Sequence, residues 1–347
     1  MSEFLAAYGL FLAKTVTWIT AIVLVSVLLL TLLRTARSEA GPERLDIRSL
    51  NRRYEGLADA IREEILDGPA RKQRLKQRRS AARQQSKRAR RADGQRKPRL
   101  YVLQFRGDLQ ASAVDSLREE ISAILQVAEA GRDEVVLRLD SEGGMVHGYG
   151  LAASQLARLR RTGIRLTVAV DKVAASGGYM MACVADRIVA APFAIVGSIG
   201  VVAQLPNFHR LLRRLDVDYE LHTAGDFKRT LTLFGENTEA GREKFRAEIE
   251  ETHALFKRFI REFRPQLDVE RVATGEHWFG TQALELQLID ELQTSDDYLL
   301  SRVADAELFG LQFRRRRPLA QRLSEGLVRL GIGLRRSVEE TTLPRWR

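Results

Sequence analysis

The chain has 347 residues, enough for about two domains, and with 45% of them hydrophobic it is not wholly disordered. A single cysteine, Cys183, excludes an internal disulfide and a Cys-rich zinc site. The net charge of +11 is concentrated: residues 71–99 carry 14 Lys/Arg against one acid, Asp93, so the rest of the chain sums to −2.

Residues 15–33 (TVTWITAIVLVSVLLLTLL) are 19 consecutive uncharged residues. At ~1.5 Å per residue such a helix spans roughly 28 Å, close to the hydrocarbon core of a bilayer. Trp18 lies near one end, and Lys14 and Arg34 bracket the run. A cleaved signal peptide is the alternative. The run is longer than the usual ~7–15-residue apolar region, and Arg34 and Arg37 stand where a small-x-small site belongs. An uncleaved N-terminal transmembrane helix within residues 1–40 is therefore expected. Arg34, Arg37, Arg44, Arg48, Arg52 and Arg53 follow it, which by the positive-inside rule leans the remainder toward the cytoplasm. Large domains also translocate regardless of flanking charge, so the side stays open.

Residues 41–99 form the next region. Residues 44–67 have apolar positions at helical spacing and predict an amphipathic helix, ended by Gly68-Pro69. Residues 71–99 are almost purely Arg, Lys, Gln, Ala and Ser and cannot bury a core. A solvated linker fits this tract, and so does contact with anionic lipid headgroups, worth about 1 kcal/mol per basic residue near the surface. Nucleic-acid binding would need interleaved aromatics and a recognition fold; neither is present, so no nucleic-acid partner is expected.

From Leu100 to about residue 300 the texture becomes strand–helix alternation. Strands are predicted at 100–105, 134–139 and 164–170, with helices at 111–128 and 145–162, the rhythm of an α/β fold with a largely parallel sheet. Shorter strands follow at 187–190, 194–196, 199–203 and 217–222, and a long amphipathic helix at 238–263 before Pro265. Residues 301–347 read as a basic tail, either a membrane-surface helix or a frayed end.

Three glycine-bearing turns carry the candidate chemistry. Asp140-Ser141-Glu142-Gly143-Gly144 follows a strand and precedes a helix, where bare backbone N–H groups can face an oxyanion. No GxGxxG and no P-loop is present. Ala174-Ala175-Ser176-Gly177-Gly178-Tyr179 again joins strand to helix. Ser176 is an ordinary N-cap residue, but its small neighbours let a substrate main chain approach the hydroxyl. Gly197-Ser198-Ile199-Gly200 is the third turn. A serine nucleophile needs a base. Of the five histidines, only His147 is near a turn; His209 and His253 read as solvent-facing. A lysine would have to become neutral by burial. Lys228 in AGDFKRTL is the candidate, with Phe227, Leu231 and Leu233 around it, although its sequence alone reads as an exposed loop lysine.

The blocks LDSEGGMVHGYGLAASQLARLR, DKVAASGGYMMACVAD, APFAIVGSIGVVAQLPNF and GENTEAGREKF resemble the signal-peptide-peptidase-A family of membrane serine proteases, most closely its SohB branch, from about residue 100 to 297. The resemblance implies a ClpP/crotonase-like superhelix of ββα units and a bacterial inner-membrane location; the family's better-known members work outside the cytoplasm. It implies a Ser–Lys dyad of Ser176 and Lys228, with Ser198 bonded to the lysine. Backbone N–H groups around Gly143, Gly144 and Gly177 are the implied oxyanion hole. Peptide or protein substrates, a lipid bilayer and a homo-oligomeric ring, in which nucleophile and base can come from neighbouring subunits, are the implied partners; no cofactor or metal is implied. Two residues depart from the family pattern. Glu142 stands in place of a proline, and Gln287 in place of a glycine at a helix end, which asks a side-chain-bearing residue to take a left-handed conformation or to end the helix otherwise. A crotonase-type acyl-CoA enzyme using the Glu142 carboxylate and a non-catalytic membrane scaffold are the alternatives.

Overall fold

The computed structural model describes residues 9, 11–12, 14–23, 43–65, 80, 96–225 and 227–314. In chain order they form β1 (Arg44–Ser49), α1 (Leu50–Ile65), β2 (Arg99–Arg106), α2 (Val114–Leu125), β3 (Glu134–Ser141), α3 (Val146–Arg161), β4 (Arg165–Ala175) and α4 (Gly177–Ala182). There follow β5 (Arg187–Ala190), β6 (Ile195–Gly197), α5 (His209–Arg214), α6 (Glu239–Phe263), α7 (Val269–Val272), β7 (His277–Phe279), α8 (Gly280–Glu285), β8 (Glu291–Leu292), α9 (Ser295–Arg302) and β9 (Glu307–Arg314).

The fold is α/β. Nine strands form one sheet in the order β1-β9-β2-β3-β4-β5-β8, with β6 paired to β4 and β7. The pairs from β9 through β8 are parallel, and β6–β7 is antiparallel. Alternation along the strands divides the core. Tyr101, Leu103 and Phe105 of β2 and Val135, Leu137 and Leu139 of β3 enter the larger cluster with α2, α3 and α4. Leu100, Val102 and Val136 face the other way, toward Tyr298 and Leu299 of α9, with Leu50 and Tyr54 of α1 packed alongside. A parallel sheet covered on both faces requires this two-sided apolar pattern.

β4 positions the site. Its first half, Thr167–Val170, pairs with β5, and its last residues, Val173–Ala175, pair with β6. Between the halves the register with β3 jumps, from Leu139↔Val170 to Ser141↔Ala174. The bulge turns the strand end, and Ser176 with it, away from the main sheet.

Residues 44–49, expected as helix, are strand β1. Their partner is β9, so tertiary pairing overrides the local helical spacing. Asn51 clamps the same edge: its amide donates to the Val303 and Ala306 carbonyls at 3.1 and 3.0 Å and its oxygen accepts from Leu308 N–H at 2.7 Å. The sheet thus continues past residue 300, where a tail was expected to begin. Residues 199–203 and 217–222, expected as strands, are not strands in the single chain. The long helix is capped as its sequence suggests, with Thr238 Oγ1 accepting from Gly241 N–H at 3.1 Å.

Buried charged residues mark this body, Glu120 and Arg264 among them. Glu120 on α2 is 4% exposed and accepts from Phe313 N–H at 2.7 Å; burial pushes its pKa up to about 7. Arg264, 2% exposed, pairs with Asp290 at 2.8 Å and donates to the Gln287 carbonyl at 2.9 Å.

The described residues before position 24 belong to a separate unit and are helical, with Phe11, Val16, Trp18, Ile19 and Ile22 exposed. Among the described residues no helix is long and apolar enough to cross a membrane. Residues 24–33 of the expected span lie outside them, as do residues 71–95 of the basic tract apart from Ser80 and residues 315–347 of the expected tail.

Candidate active site

The turn after β4 holds Ser176 at φ 51° and ψ −117°. A left-handed φ on a residue with a Cβ costs of order 1–3 kcal/mol and persists only where neighbours enforce it. Here they do. Ser176 N–H donates to the Gly197 carbonyl at 2.7 Å, its own carbonyl accepts from Met180 N–H at 2.9 Å, and every residue of α4 is buried. Ser176 occupies the N-cap position, yet its hydroxyl makes no capping bond, so it is open to other chemistry.

Gly143 lies directly against this turn, and Gly144, next in the chain, packs on the Leu109 backbone. A Cβ on Gly143 would fall 2.8 Å from both Ser176 Cβ and Gly177 N, and Gly143 itself has φ 93°. Only glycine permits that approach. The three glycines differ in their N–H groups. Gly143 N–H donates to Ser141 Oγ at 3.1 Å, whereas those of Gly144 and Gly177 make no hydrogen bond among the described residues. The two unbonded donors flank the nucleophile turn; Gly143, read from sequence as a donor, is already engaged.

Ser198 also adopts φ 51°, is half-buried, and donates its N–H to the Glu276 carbonyl at 2.6 Å beside β7. The Ser176–Gly197 bond ties its turn to the nucleophile turn. Three of the expected residues, Ser176, Gly143 and Gly177, therefore meet, with Gly144 next in the chain and Ser198 adjacent.

Lys228 has no hydrogen bond or ion pair to these turns among the described residues. It is exposed, its N–H donates to the Gly225 carbonyl at 3.1 Å, and its ammonium makes no hydrogen bond or ion pair among the described residues. Its surroundings are exposed as well, including Phe227 and Leu233. His147 is exposed, as is Glu142, while His209 and His253 are half-buried rather than solvent-facing, the latter on a helix that buries Phe256 and Ile260.

Sequence reasoning passed over Ser141, Tyr149 and Asp108, which sit directly beneath the turns. Ser141 Oγ and Tyr149 Oη are 2.7 Å apart, and Tyr149 Oη donates to the Asp108 carbonyl at 2.9 Å. The available signal was a phenol among small residues, HGYGLAA, on the first turns of α3.

A glycine turn packed on a strained serine at a strand-to-helix junction is an arrangement for acyl chemistry, and the chain belongs to peptidase family S49. Residues 3–156 match "Peptidase family S49 N-terminal" and residues 158–308 match "Peptidase family S49". Within the family it is of SohB type. It is 48% identical over 329 residues to "Probable protease SohB" of Haemophilus influenzae (strain ATCC 51907 / DSM 11121 / KW20 / Rd), covering 93% of this chain and 92% of that one. It is 60% identical over 232 residues to "Probable protease SohB" of Buchnera aphidicola subsp. Acyrthosiphon pisum (strain APS), covering 67% and 69%. Among solved structures, a mutant of the 1510-N membrane-bound stomatin-specific protease in complex with a substrate peptide is 15% identical with a TM-score of 0.40, covering 62% of this chain and 93% of that one.

Proposed function

We propose that this peptidase is a membrane-anchored serine endopeptidase with a Ser176–Lys228 dyad, acting on membrane-associated or signal-peptide-like peptides at the bacterial inner membrane. The observation that carries the reading is Ser176, held at a left-handed φ with its hydroxyl uncapped and the unbonded N–H groups of Gly144 and Gly177 beside it.

In the reaction, neutral Lys228 takes the hydroxyl proton as Ser176 Oγ attacks the peptide carbonyl. Gly144 and Gly177 N–H groups receive the oxyanion, each donor worth about 2.7–4 kcal/mol. The lysine ammonium returns its proton to the leaving amine as the C–N bond breaks. Water, deprotonated by the lysine, then attacks the acyl-enzyme, releasing the carboxyl product and restoring the serine. Ser198 orients the lysine in this scheme.

The exposure of Lys228 in one chain favours a dyad completed on assembly. Val202 (81% exposed), Leu205, Phe208, Leu215, Val217 and Tyr219 present apolar surface on the unpaired segments that lead to Lys228. That much apolar surface calls for a partner, and a second copy in a ring of ClpP/crotonase-like subunits would cover it. Removal from water favours the neutral amine a base requires. Residues 15–33 supply the anchor, supported by the exposed apolar side chains of their described part.

Ser176→Ala and Lys228→Ala are each expected to abolish peptide hydrolysis, and a fluorophosphonate is expected to label wild-type Ser176. Full activity in either variant discards the dyad. Protease accessibility in spheroplasts reports the side of the membrane on which the domain works.

A further inference from the structure

Beneath the two turns runs a hydrogen-bond chain whose direction is determined. The Asp108 carbonyl can only accept, so Tyr149 gives it its single phenolic proton at 2.9 Å. Tyr149 Oη must then accept from Ser141 Oγ–H at 2.7 Å, which leaves a Ser141 lone pair for Gly143 N–H at 3.1 Å. Ser141 is 2% exposed and Tyr149 fully buried, so water does not compete for these bonds. Burial also raises the Tyr149 pKa, which keeps the phenol protonated as the chain requires.

The same side chain touches the second turn. A Cβ on Gly177 would fall 2.4 Å from Tyr149 Cγ, so the ring lies directly under the Gly177 backbone. Gly107 makes room for the polar end, since a Cβ there would fall 2.1 Å from Ser141 Oγ and 2.3 Å from Tyr149 Oη. One residue therefore has its hydroxyl end linked to the Gly143–Gly144 turn and its ring end against the Gly177 turn.

We propose that Tyr149, acting through Ser141, is a positioning residue that sets the separation of the Gly144 and Gly177 N–H groups and so the fit of the site to an oxyanion. The inference rests on the serine-peptidase reading and adds to it the part that holds the donors in place.

The test uses the full chain in detergent. Tyr149→Phe keeps the ring under Gly177 and removes the hydroxyl link; Ser141→Ala breaks the same chain one bond nearer the turn. With a fluorogenic Leu-Leu-Leu aminocoumarin peptide, kcat is expected to fall about 10–100-fold in each while KM stays within about twofold, because the loss appears only when negative charge develops. Affinity for a peptide boronate, which forms the tetrahedral anion on the serine, is expected to weaken by the same factor. Amide exchange of residues 141–146 is expected to quicken in both variants. Unchanged kcat and boronate affinity in correctly folded variants would overturn the proposal, as would an exchange rate equal to wild type. If the wild type hydrolyses no peptide, the peptidase reading fails by itself, and the exchange measurement, which needs no turnover, still decides whether Tyr149 holds the turn. If Tyr149→Phe does not fold, Ser141→Ala carries both readouts.

Discussion

Glu120 offers the sharpest quantitative test of the fold. Its carboxyl is 4% exposed on the inner face of α2, and its one partner among the described residues is the Phe313 N–H at 2.7 Å. One hydrogen bond does not replace the hydration of a carboxylate, so burial raises its pKa from 4.5 to about 7. Well below pH 4.5 the group is protonated in both the folded and unfolded chain and carries no charge penalty. Through the interval from 4.5 to about 7 the unfolded chain ionises first, and stability falls as pH rises. Above that interval the whole penalty is present, about 3 kcal/mol at about 1.4 kcal/mol per pH unit. Glu120→Gln keeps an oxygen to accept from Phe313 N–H but cannot ionise. Denaturant unfolding of both proteins followed by far-UV circular dichroism should show the E120Q variant gaining on wild type between about pH 4 and about pH 8, by an amount approaching ~3 kcal/mol. Titrations elsewhere are common to both proteins and cancel in the difference. A difference that stays within about 0.5 kcal/mol across that range would refute the reasoning, since it would mean Glu120 ionises as freely folded as unfolded.

Gln287 adopts φ 61° after α8 with its side chain exposed, so Gln287→Gly should raise stability by about 1 kcal/mol, read as a higher denaturation midpoint; no gain would mean the left-handed residue is not strained. Asp290→Ala strands the buried Arg264 guanidinium and the Ile188 N–H and should cost about 3–5 kcal/mol, whereas Arg264→Met removes the charge and leaves the Asp290–Ile188 bond in place and should cost less. Equal losses in the two variants would show that the ion pair, rather than the orphaned charge, sets the cost.

How far the sequence carries depends on whether the relevant partner is local. β2, β3 and the first half of β4 were legible because their apolar residues serve both faces of a parallel sheet, and α6 because Thr238 and Pro265 punctuate it. β1 was not, since the pattern RLDIRS fits a helix until β9, at the far end of the folded body, offers it an edge. Residues 199–203 and 217–222 have strand composition but pair with no strand among the described residues. Among the site residues, the glycines next to Ser176 were readable because backbone contact between turns leaves no room for a Cβ. Which of them presents a free N–H was not, because that depends on the direction in which the Ser141 hydroxyl points. Lys228 was named from its apolar neighbours and then from the family pattern; Phe227 and Leu233 beside it are exposed as it is, so the burial that a neutral lysine needs was not legible locally.

The position of β9 between β1 and β2 has a consequence for anyone who shortens the protein to make it soluble. A fragment begun at residue 96 discards β1 and Asn51 and leaves an eight-residue strand, ELFGLQFR, as a bare hydrogen-bonding rim. Such a rim invites stray strands from other molecules, and the fragment would precipitate. A fragment begun at residue 43 keeps the protective strip, so β1 and Asn51 shield the flank of the enzyme's sheet.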